Sequence, residues 1–278
     1  MDAVKRLAYL GPAGTFTEQA ARNYDPQARL VPFSSIPGVA VAVGSNMADE
    51  GVVPIENSLE GSVTDTLDLL IREAHLFIRH ELVLRIEQCL LVKQGTEATQ
   101  VQVIYSHPQA LSQCRQFVER CFPKAQAVAA LSTAAAVEDM LNASTPAAAI
   151  APQRAAEIYG AEVLAASIQD VQDNVTRFIV LAREDHLPTG KDKTSLCFSF
   201  AEDKPGLLYS IMGEFAQRDI NLAKVESRPT KQSLGQYIFL IDLEGHRTDP
   251  PVQEALEGLR RQVSMLKVFG SYPRAPQV

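Results

Sequence analysis

From Leu7 to about Ala182, short apolar runs alternate with stretches whose apolar residues recur at helical spacing, and this alternation restricts the region to an α/β fold. Leu7 to Leu10, Glu50 to Ile55, Leu82 to Val92, Gln102 to Tyr105, Ala147 to Ala151 and Phe178 to Ala182 read as strands. Thr17 to Asn23, Val63 to Glu73, Pro108 to Cys121, Thr133 to Leu141 and Pro152 to Tyr159 read as helices. Ala125 to Ala166 is rich in alanine, yet its interspersed Val, Leu, Ile and charged residues predict packed small-residue helices rather than low complexity.

The pattern changes after residues 184–193, a polar segment with Pro188 and Gly190 that reads as a linker. Beyond it the predicted order is strand (Thr194 to Ala201), helix (Pro205 to Gln217), strand (Asn221 to Arg228), strand (Gly235 to Leu243), helix (Val252 to Gln262) and strand (Ser264 to Phe269). That is βαββαβ, the ferredoxin-like split motif. Leu207, Leu208, Ile211, Met212 and Phe215 stand at helical spacing in its first helix and read as core.

A chain of 278 residues exceeds the usual size of a single core, which predicts two or three compact units. The formal charge of −7 argues against a nucleic-acid partner, so any anion site must be local. Cys89, Cys114, Cys121 and Cys197 show neither CxxC nor Cys/His metal spacing. They read as inert thiols in a reducing compartment. The N-terminal apolar part is too short for a signal peptide and no stretch approaches a membrane span, which predicts a cytoplasmic protein with no membrane partner.

Asp173-Asn174-Val175-Thr176-Arg177-Phe178 opens into the apolar run Ile179 to Ala182 and places an amide, a hydroxyl and a permanent cation at the mouth of a strand. Such a set suits gripping an anion and donating to it. Gly11-Pro12-Ala13-Gly14-Thr15 lies between a strand and a helix, where backbone N–H groups can approach a ligand or simply form a tight turn. It has neither the P-loop ending nor GxGxxG spacing. Between Pro54 and Thr64, Ser62 with Asp65 can cap the next helix, leaving Asn57 and Ser58 without an obvious structural role. Between Tyr105 and Cys114, Pro108 suits a first helical turn, Ser106 or His107 sits near its cap, and Gln109 and Gln113 are one turn apart on one face. A cap with a surface amide ridge explains this turn as well as a site does.

In order along the chain, Gly11 to Phe16, Pro54 to Ser58, Ser106 to Leu111, Asn174 to Phe178 and Glu226-Ser227-Arg228-Pro229 resemble the prephenate dehydratase family, the last within what resembles an ACT regulatory domain. The resemblance covers almost the whole chain. It implies a two-lobed α/β catalytic domain, like the type II periplasmic binding proteins, over residues 1–183 with the active site between the lobes. The first lobe is then about 1–80 with 172–183 and the second about 81–171, with Leu82 to Val92 and Phe178 to Ala182 crossing between them. Residues 184–193 become the linker and 194–278 a ferredoxin-like ACT domain. Bifunctional relatives carry a chorismate mutase domain ahead of this pattern, which begins here at Leu7 and predicts a monofunctional chain.

The family reaction removes the ring hydroxyl and ring carboxylate of prephenate together, giving phenylpyruvate, carbon dioxide and water, with no metal or organic cofactor. Aromatisation drives it, so the enzyme must mainly orient a dianion and help hydroxide leave. The resemblance implies Thr176 as the donor to that hydroxyl, with Asn57, Ser106 and Gln113 as further catalytic contacts. Thr15, Ser58, Arg177 and Phe178 are expected to bind substrate. Strand alternation sends Thr176 and Arg177 to opposite faces, so only one of the two should touch substrate directly, and Thr176 is favoured. Glu56, if buried, and His107 are alternative acids, although a histidine beside a helix-opening proline also serves as structure.

Gly206, Leu207, Asn221, Leu222, Glu226, Ser227 and Arg228 match the family's effector segments, with phenylalanine as the implied feedback inhibitor. Leu207 and Tyr209 are bulkier than the residues many relatives carry there. Pairing of ACT domains across subunits predicts a homodimer or homotetramer. Two rivals stay open: a non-catalytic solute-binding module on the same fold, and dehydration of arogenate, which bears an amino group in place of the keto group.

Overall fold

The computed structural model describes residues 4–72, 75–202, 204–230 and 236–276. Its first sheet starts with β1 (Arg6–Leu10), which leads through helix α1 (Phe16–Tyr24) to β2 (Arg29–Phe33). Thr15 Oγ1 accepts from Glu18 N at 3.4 Å while Glu18 Oε2 accepts from Gly14 N at 2.5 Å, a reciprocal cap that starts α1. Next comes α2 (Ile36–Gly44), which the sequence pattern did not predict. Ile36, Val39, Ala40, Ala42 and Val43 are buried, but its exposed positions, Pro37 and Val41 among them, are apolar too, so it shows no amphipathic stripe. β3 (Glu50–Asn57) carries Gly51 under this helix, where a Cβ would meet Val39 Cγ1 at 2.6 Å and Val43 Cγ2 at 2.9 Å. Glycine there lets the helix lie on the sheet.

The two-residue strand β4 (Gly61–Ser62), α3 (Thr64–Arg72) and β5 (Phe77–Arg85) complete this part of the lobe. The second lobe holds β6 (Cys89–Val92), β7 (Val103–Ser106), α4 (Pro108–Gln113), α5 (Arg115–Cys121), β8 (Gln126–Ala129), α6 (Thr133–Asn142), β9 (Ala147–Ala151), α7 (Gln153–Tyr159) and β10 (Glu162–Ala165). β11 (Val175–Ala182) then returns to the first sheet, whose order is β2-β1-β3-β11-β5, while the second sheet runs β10-β6-β9-β7-β8. This is the expected two-lobed, periplasmic-binding-protein-like arrangement.

Several expectations change. The continuous strand Leu82 to Val92 is two strands in different sheets, with Ile86 to Gln88 crossing between them, so the first lobe extends to about residue 85 rather than 80. Ile86 N donates to Asn174 O at 2.8 Å and Ile168 N to Gln88 O at 2.9 Å, tying the two crossing segments together. The helix Pro108 to Cys121 breaks at the buried Cys114, because Asp170, on the returning segment, accepts from Gln116 N at 3.0 Å and Phe117 N at 3.3 Å and caps a second helix. The alanine-rich tract contains the strands β8 and β10 besides helices, since alanine fits either once packing is supplied by neighbours.

The C-terminal unit comprises β12 (Asp192–Ser199), α8 (Leu207–Ala216), β13 (Leu222–Pro229), β14 (Tyr237–Glu244), α9 (Pro250–Arg260) and β15 (Met265–Pro273), in sheet order β13-β14-β12-β15. The βαββαβ order is the expected one, with β12 starting two residues inside the presumed linker. The predicted helix end at Glu73 and strand start at Gly235 lie outside the described residues. Leu196, Phe198, Ile241 and Leu243 face α8 and α9, whereas Cys197, Ile238, Leu240, Phe269 and Tyr272 join the core of the first lobe. The sheet is therefore sandwiched between its own helices and the catalytic region. Gly270, with φ of 149°, lies so close to β5 that a Cβ would meet Ile78 N at 2.8 Å.

Candidate active site

β11 pairs with β3 so that Thr176 lies opposite Asn57 and Arg177 opposite Glu56. Because successive side chains alternate, the first pair faces the cleft between the lobes and the second faces away from it. The cleft is a cavity of about 390 Å³ whose walls include Thr15, Asn57, Thr176 and Phe178 from the first lobe and His107, Gln109, Gln113 and Thr133 from the second. Among its described lining residues none is Lys, Arg, Asp or Glu. A larger groove of about 660 Å³, lined by Arg22, Arg85, Glu87 and Arg154, holds none of the residues expected in the site.

The Asn57 amide has a determined orientation. Its Oδ1 accepts from Leu59 N at 3.0 Å and Glu60 N at 3.1 Å, so its Nδ2 must point the other way. That Nδ2 donates to Asn174 Oδ1 at 2.7 Å, Thr176 Oγ1 at 2.9 Å and Val175 O at 3.2 Å. Asn57 thus has a structural role that sequence reasoning denied it. Thr176 Oγ1 is an acceptor in this bond, and its own proton has no acceptor among the described residues. A hydroxyl that accepts from an amide is polarised to donate outward.

Other expected residues separate by which way they point. Gln113 lies in the wall, its Oε1 accepting from Gln88 Nε2 at 3.5 Å. Thr15 also lines the wall, but its hydroxyl donates to Pro12 O at 3.0 Å and accepts from Glu18 N. Gly11 N donates to Phe33 O at 2.8 Å and Gly14 N to Glu18, so the first glycine turn offers no anion cradle through those groups. His107 caps α4, its Nδ1 accepting from Gln109 N at 3.3 Å, while its ring borders the cleft.

Ser106 departs from expectation: it is fully buried and donates to Ile150 O at 2.6 Å, fastening β7 to β9 outside the cleft lining. Ser58 departs too, since its exposed hydroxyl accepts from Val175 N at 3.0 Å and pins the start of β11. Ser62 is not a cap but bridges to the C-terminal sheet, donating to Glu226 Oε2 at 2.6 Å and accepting from Lys224 Nζ at 2.7 Å.

Arg177 is not a substrate ligand in this geometry. Its Nη1 donates to Asp242 Oδ2 at 2.6 Å, with Glu81 Oε2 and Glu56 Oε2 each 3.6 Å from the guanidinium. Glu56 is turned the same way and pairs with Lys224 Nζ at 3.1 Å, which removes it as a cleft acid. Burial pulls the Arg177 pKa down, but the Asp242 charge, then Tyr272 and Glu81, raise it above the usual value. Burial likewise pushes the Asp242 carboxyl up, and Arg177 and a hydrogen bond from Ser195 outweigh it, leaving it below the ordinary range. Ser195 donates to Asp242 Oδ1 at 2.5 Å, so the 2.5 Å contact between Ser195 and Tyr272 must have the phenol as donor.

Gln88 and Thr133 also line the cleft, though neither was among the expected site residues. Gln88 follows Glu87 just where the lobes cross, and Thr133 opens α6. The polar pair Glu87-Gln88 inside the predicted strand Leu82 to Val92 was the available signal for the first.

Among the expected effector residues, Gly206 starts α8 with φ of 87° and Leu207 follows it. Asn221 Nδ2 donates to Glu244 Oε1 at 3.0 Å, and Leu222 packs into the domain core. Glu226 and Arg228 face the first lobe, where Arg228 Nη2 lies 3.3 Å from Asp68 Oδ1, and Ser227 is exposed on the other face.

Residues 7–186 match the family model for prephenate dehydratase and residues 196–261 that for the ACT domain. The chain is 44% identical to a bifunctional chorismate mutase/prephenate dehydratase of Aquifex aeolicus over 97% of this chain and 74% of that protein. It is 40% identical to a prephenate dehydratase of Amycolatopsis methanolica, over 99% and 90% of the two. Its backbone superposes on the prephenate dehydratase of Arthrobacter aurescens, solved in complex with L-Phe, with a TM-score of 0.89 and 41% identity over 98% and 92% of the chains. Likeness of this extent spans the cleft, the crossing strands and the C-terminal sheet alike, and the chain belongs to the prephenate dehydratase family.

Proposed function

We infer that this protein catalyses the decarboxylating dehydration of prephenate to phenylpyruvate, and the observation that carries the reading is the bond from Asn57 Nδ2 to Thr176 Oγ1 at 2.9 Å. That bond leaves the Thr176 proton directed at the cleft. In the reaction the C–C bond to the ring carboxylate breaks and carbon dioxide leaves. Its electron pair completes the aromatic ring as the C–O bond at the opposite carbon breaks, and the departing hydroxide takes one proton to become water. Thr176 donates to that oxygen, and the Asn57 amide stabilises the charge left on Oγ1 until solvent water returns the proton. Neutral donors such as Gln88, Gln113 and Thr133 orient the dianion, since no Lys or Arg stands among the described lining residues.

The C-terminal domain is read as the receptor for phenylalanine, a reading supported by the ACT match and by the relative solved with L-Phe. The edge strand β13 and the exposed Tyr209 and Val225 suit pairing with a second copy, as a homodimer or a dimer of dimers. A cytoplasmic location goes with this reading; among the described residues no helix is long and apolar enough to cross a membrane. The test is an assay of the purified protein with prephenate and arogenate in parallel, with and without phenylalanine, following phenylpyruvate by its ultraviolet absorbance and phenylalanine by chromatography. Turnover of prephenate that phenylalanine suppresses is expected. Inactivity on both substrates would overturn the reading.

A further inference from the structure

Each member of the cleft-facing pair, Thr176 and Asn57, is followed or preceded in sequence by a residue that faces the C-terminal sheet. Arg177 and Glu56 are register partners on the same two strands, one position removed from the pair that faces substrate. Neither can move without moving the backbone that aims its neighbour. Both are held from the far side.

Arg177 is held by Asp242 on β14, and Asp242 is held by the donor chain from Tyr272 through Ser195. Glu56 is held by Lys224 on β13, which also lies 3.1 Å from Glu226 Oε2 and donates to Ser62 Oγ. Lys224 and Glu226 alternate with Val225 and Ser227, whose side chains are exposed on the opposite face of that edge strand. So the strand that carries the expected effector residues has one face open and the other gripping Glu56. The grip is also incomplete: Arg177 Nε is buried with no hydrogen-bond partner among the described residues, while Glu56 Oε2 stands just out of reach at 3.6 Å. A small sliding of the two sheets would make that bond and weaken the one between Glu56 and Lys224. Packed polar clusters with two such arrangements are what couples distant sites.

We propose that Arg177 and Glu56 are positioning residues through which the C-terminal domain sets the aim of Thr176 and Asn57, with Asp242 and Lys224 as its two points of grip. The proposal rests on the dehydratase reading and deepens its regulation. It assigns to the basic residue of the strand motif no contact with substrate, and it gives phenylalanine bound near β13 a physical route to the cleft.

Four variants of the full chain test it: Asp242→Asn, Lys224→Met, Arg177→Gln and the conservative Arg177→Lys, each checked for folding by circular dichroism. Without phenylalanine, Asp242→Asn should lose at least about tenfold in kcat while KM stays within about threefold, the split expected when aim rather than binding is lost. Arg177→Lys, which keeps the charge, should recover part of that loss relative to Arg177→Gln. Lys224→Met leaves Glu56 beside Arg177 and so keeps the test alive if Asp242→Asn does not fold. It should raise the phenylalanine concentration for half-inhibition at least about fivefold while calorimetric affinity for phenylalanine changes less than about threefold. Wild-type kcat in both Asp242→Asn and Arg177→Gln, with wild-type inhibition in Lys224→Met, overturns the proposal and leaves the dehydratase reading standing. A parent protein that turns over prephenate but neither binds nor responds to phenylalanine overturns the regulatory half, and the kcat and KM split still judges the positioning half. A parent inactive on prephenate overturns the reading and the proposal together.

Discussion

Thr176→Val removes one hydroxyl and keeps the shape of the side chain, so it isolates the proton donor from the packing around it. In the folded protein Asn57 Nδ2 retains Asn174 Oδ1 at 2.7 Å and Val175 O at 3.2 Å as acceptors, so no buried donor is orphaned by the change. The stability cost is then that of one neutral hydrogen bond, about 0.5–1.5 kcal/mol. Loss of a positioned general acid, by contrast, costs about 10²–10⁴ in rate. At roughly 1.36 kcal/mol per decade that is about 2.7–5.4 kcal/mol of lost transition-state stabilisation. The donated bond strengthens only as the C–O bond breaks, so kcat should carry nearly the whole loss and KM should hold within about threefold. Thr176→Ser keeps the hydroxyl and the Asn57 donor but frees χ1, and should fall between, near tenfold. Initial rates of phenylpyruvate formation at saturating prephenate, beside urea unfolding of each variant, measure both quantities. A folded Val variant with kcat within about threefold of the parent refutes the assignment of Thr176 as donor.

Asp242 yields a pH prediction: its carboxyl sits below the ordinary range, so the stability it contributes is complete above the unfolded value of about 4 and is lost as pH falls through the folded one. Urea midpoints at neutral pH and near pH 3 should therefore differ less in Asp242→Asn than in the parent, and equal differences would remove Asp242 from the acid response. Gly51→Ala drives a methyl into Val39 and Val43 and should cost about 1–3 kcal/mol by urea unfolding, whereas an unchanged midpoint would mean that α2 shifts freely. Of the four thiols, Cys121 alone is exposed, and burial pushes Cys114 and Cys197 up to about 12. One equivalent should react quickly with an aromatic disulfide reagent in the folded protein, and rapid reaction of two or more would contradict the burial of the others.

What the sequence disclosed and what it hid divide along physical lines. Most strands and helices followed from local periodicity, while α2, along with β2, β8 and β10, did not: the exposed side of Ile36–Gly44 carries Pro37 and Val41 and so is as apolar as its buried side, which erases the helical stripe. Alternation along β11 is likewise local, which is why the opposite facing of Thr176 and Arg177 could be deduced before any fold was known. The partners across that alternation are not local. Ser62 satisfied a capping rule with Asp65 on paper, yet its hydroxyl lies between Lys224 and Glu226, more than 160 positions later in the chain. Asp170 breaks a helix that looks continuous from Pro108 to Cys121, and it does so from the far side of the lobe crossing. Ser106, chosen for its place before a helix, has its proton taken by the carbonyl of a neighbouring strand.

In each of these cases a short polar side chain answered to a backbone group or an ion that only the tertiary fold could bring near. The same rule explains the site itself. Asn57 lacked any visible structural role because its acceptors, Asn174 just before β11 and Thr176 on it, lie 117 and 119 residues away. A residue type that recurs at turns for local reasons becomes part of a catalytic pair only when an antiparallel strand returns from the second lobe to lie beside it. The cleft therefore depends on the crossing of the lobes twice over, once to make the cavity and once to polarise the hydroxyl that acts in it.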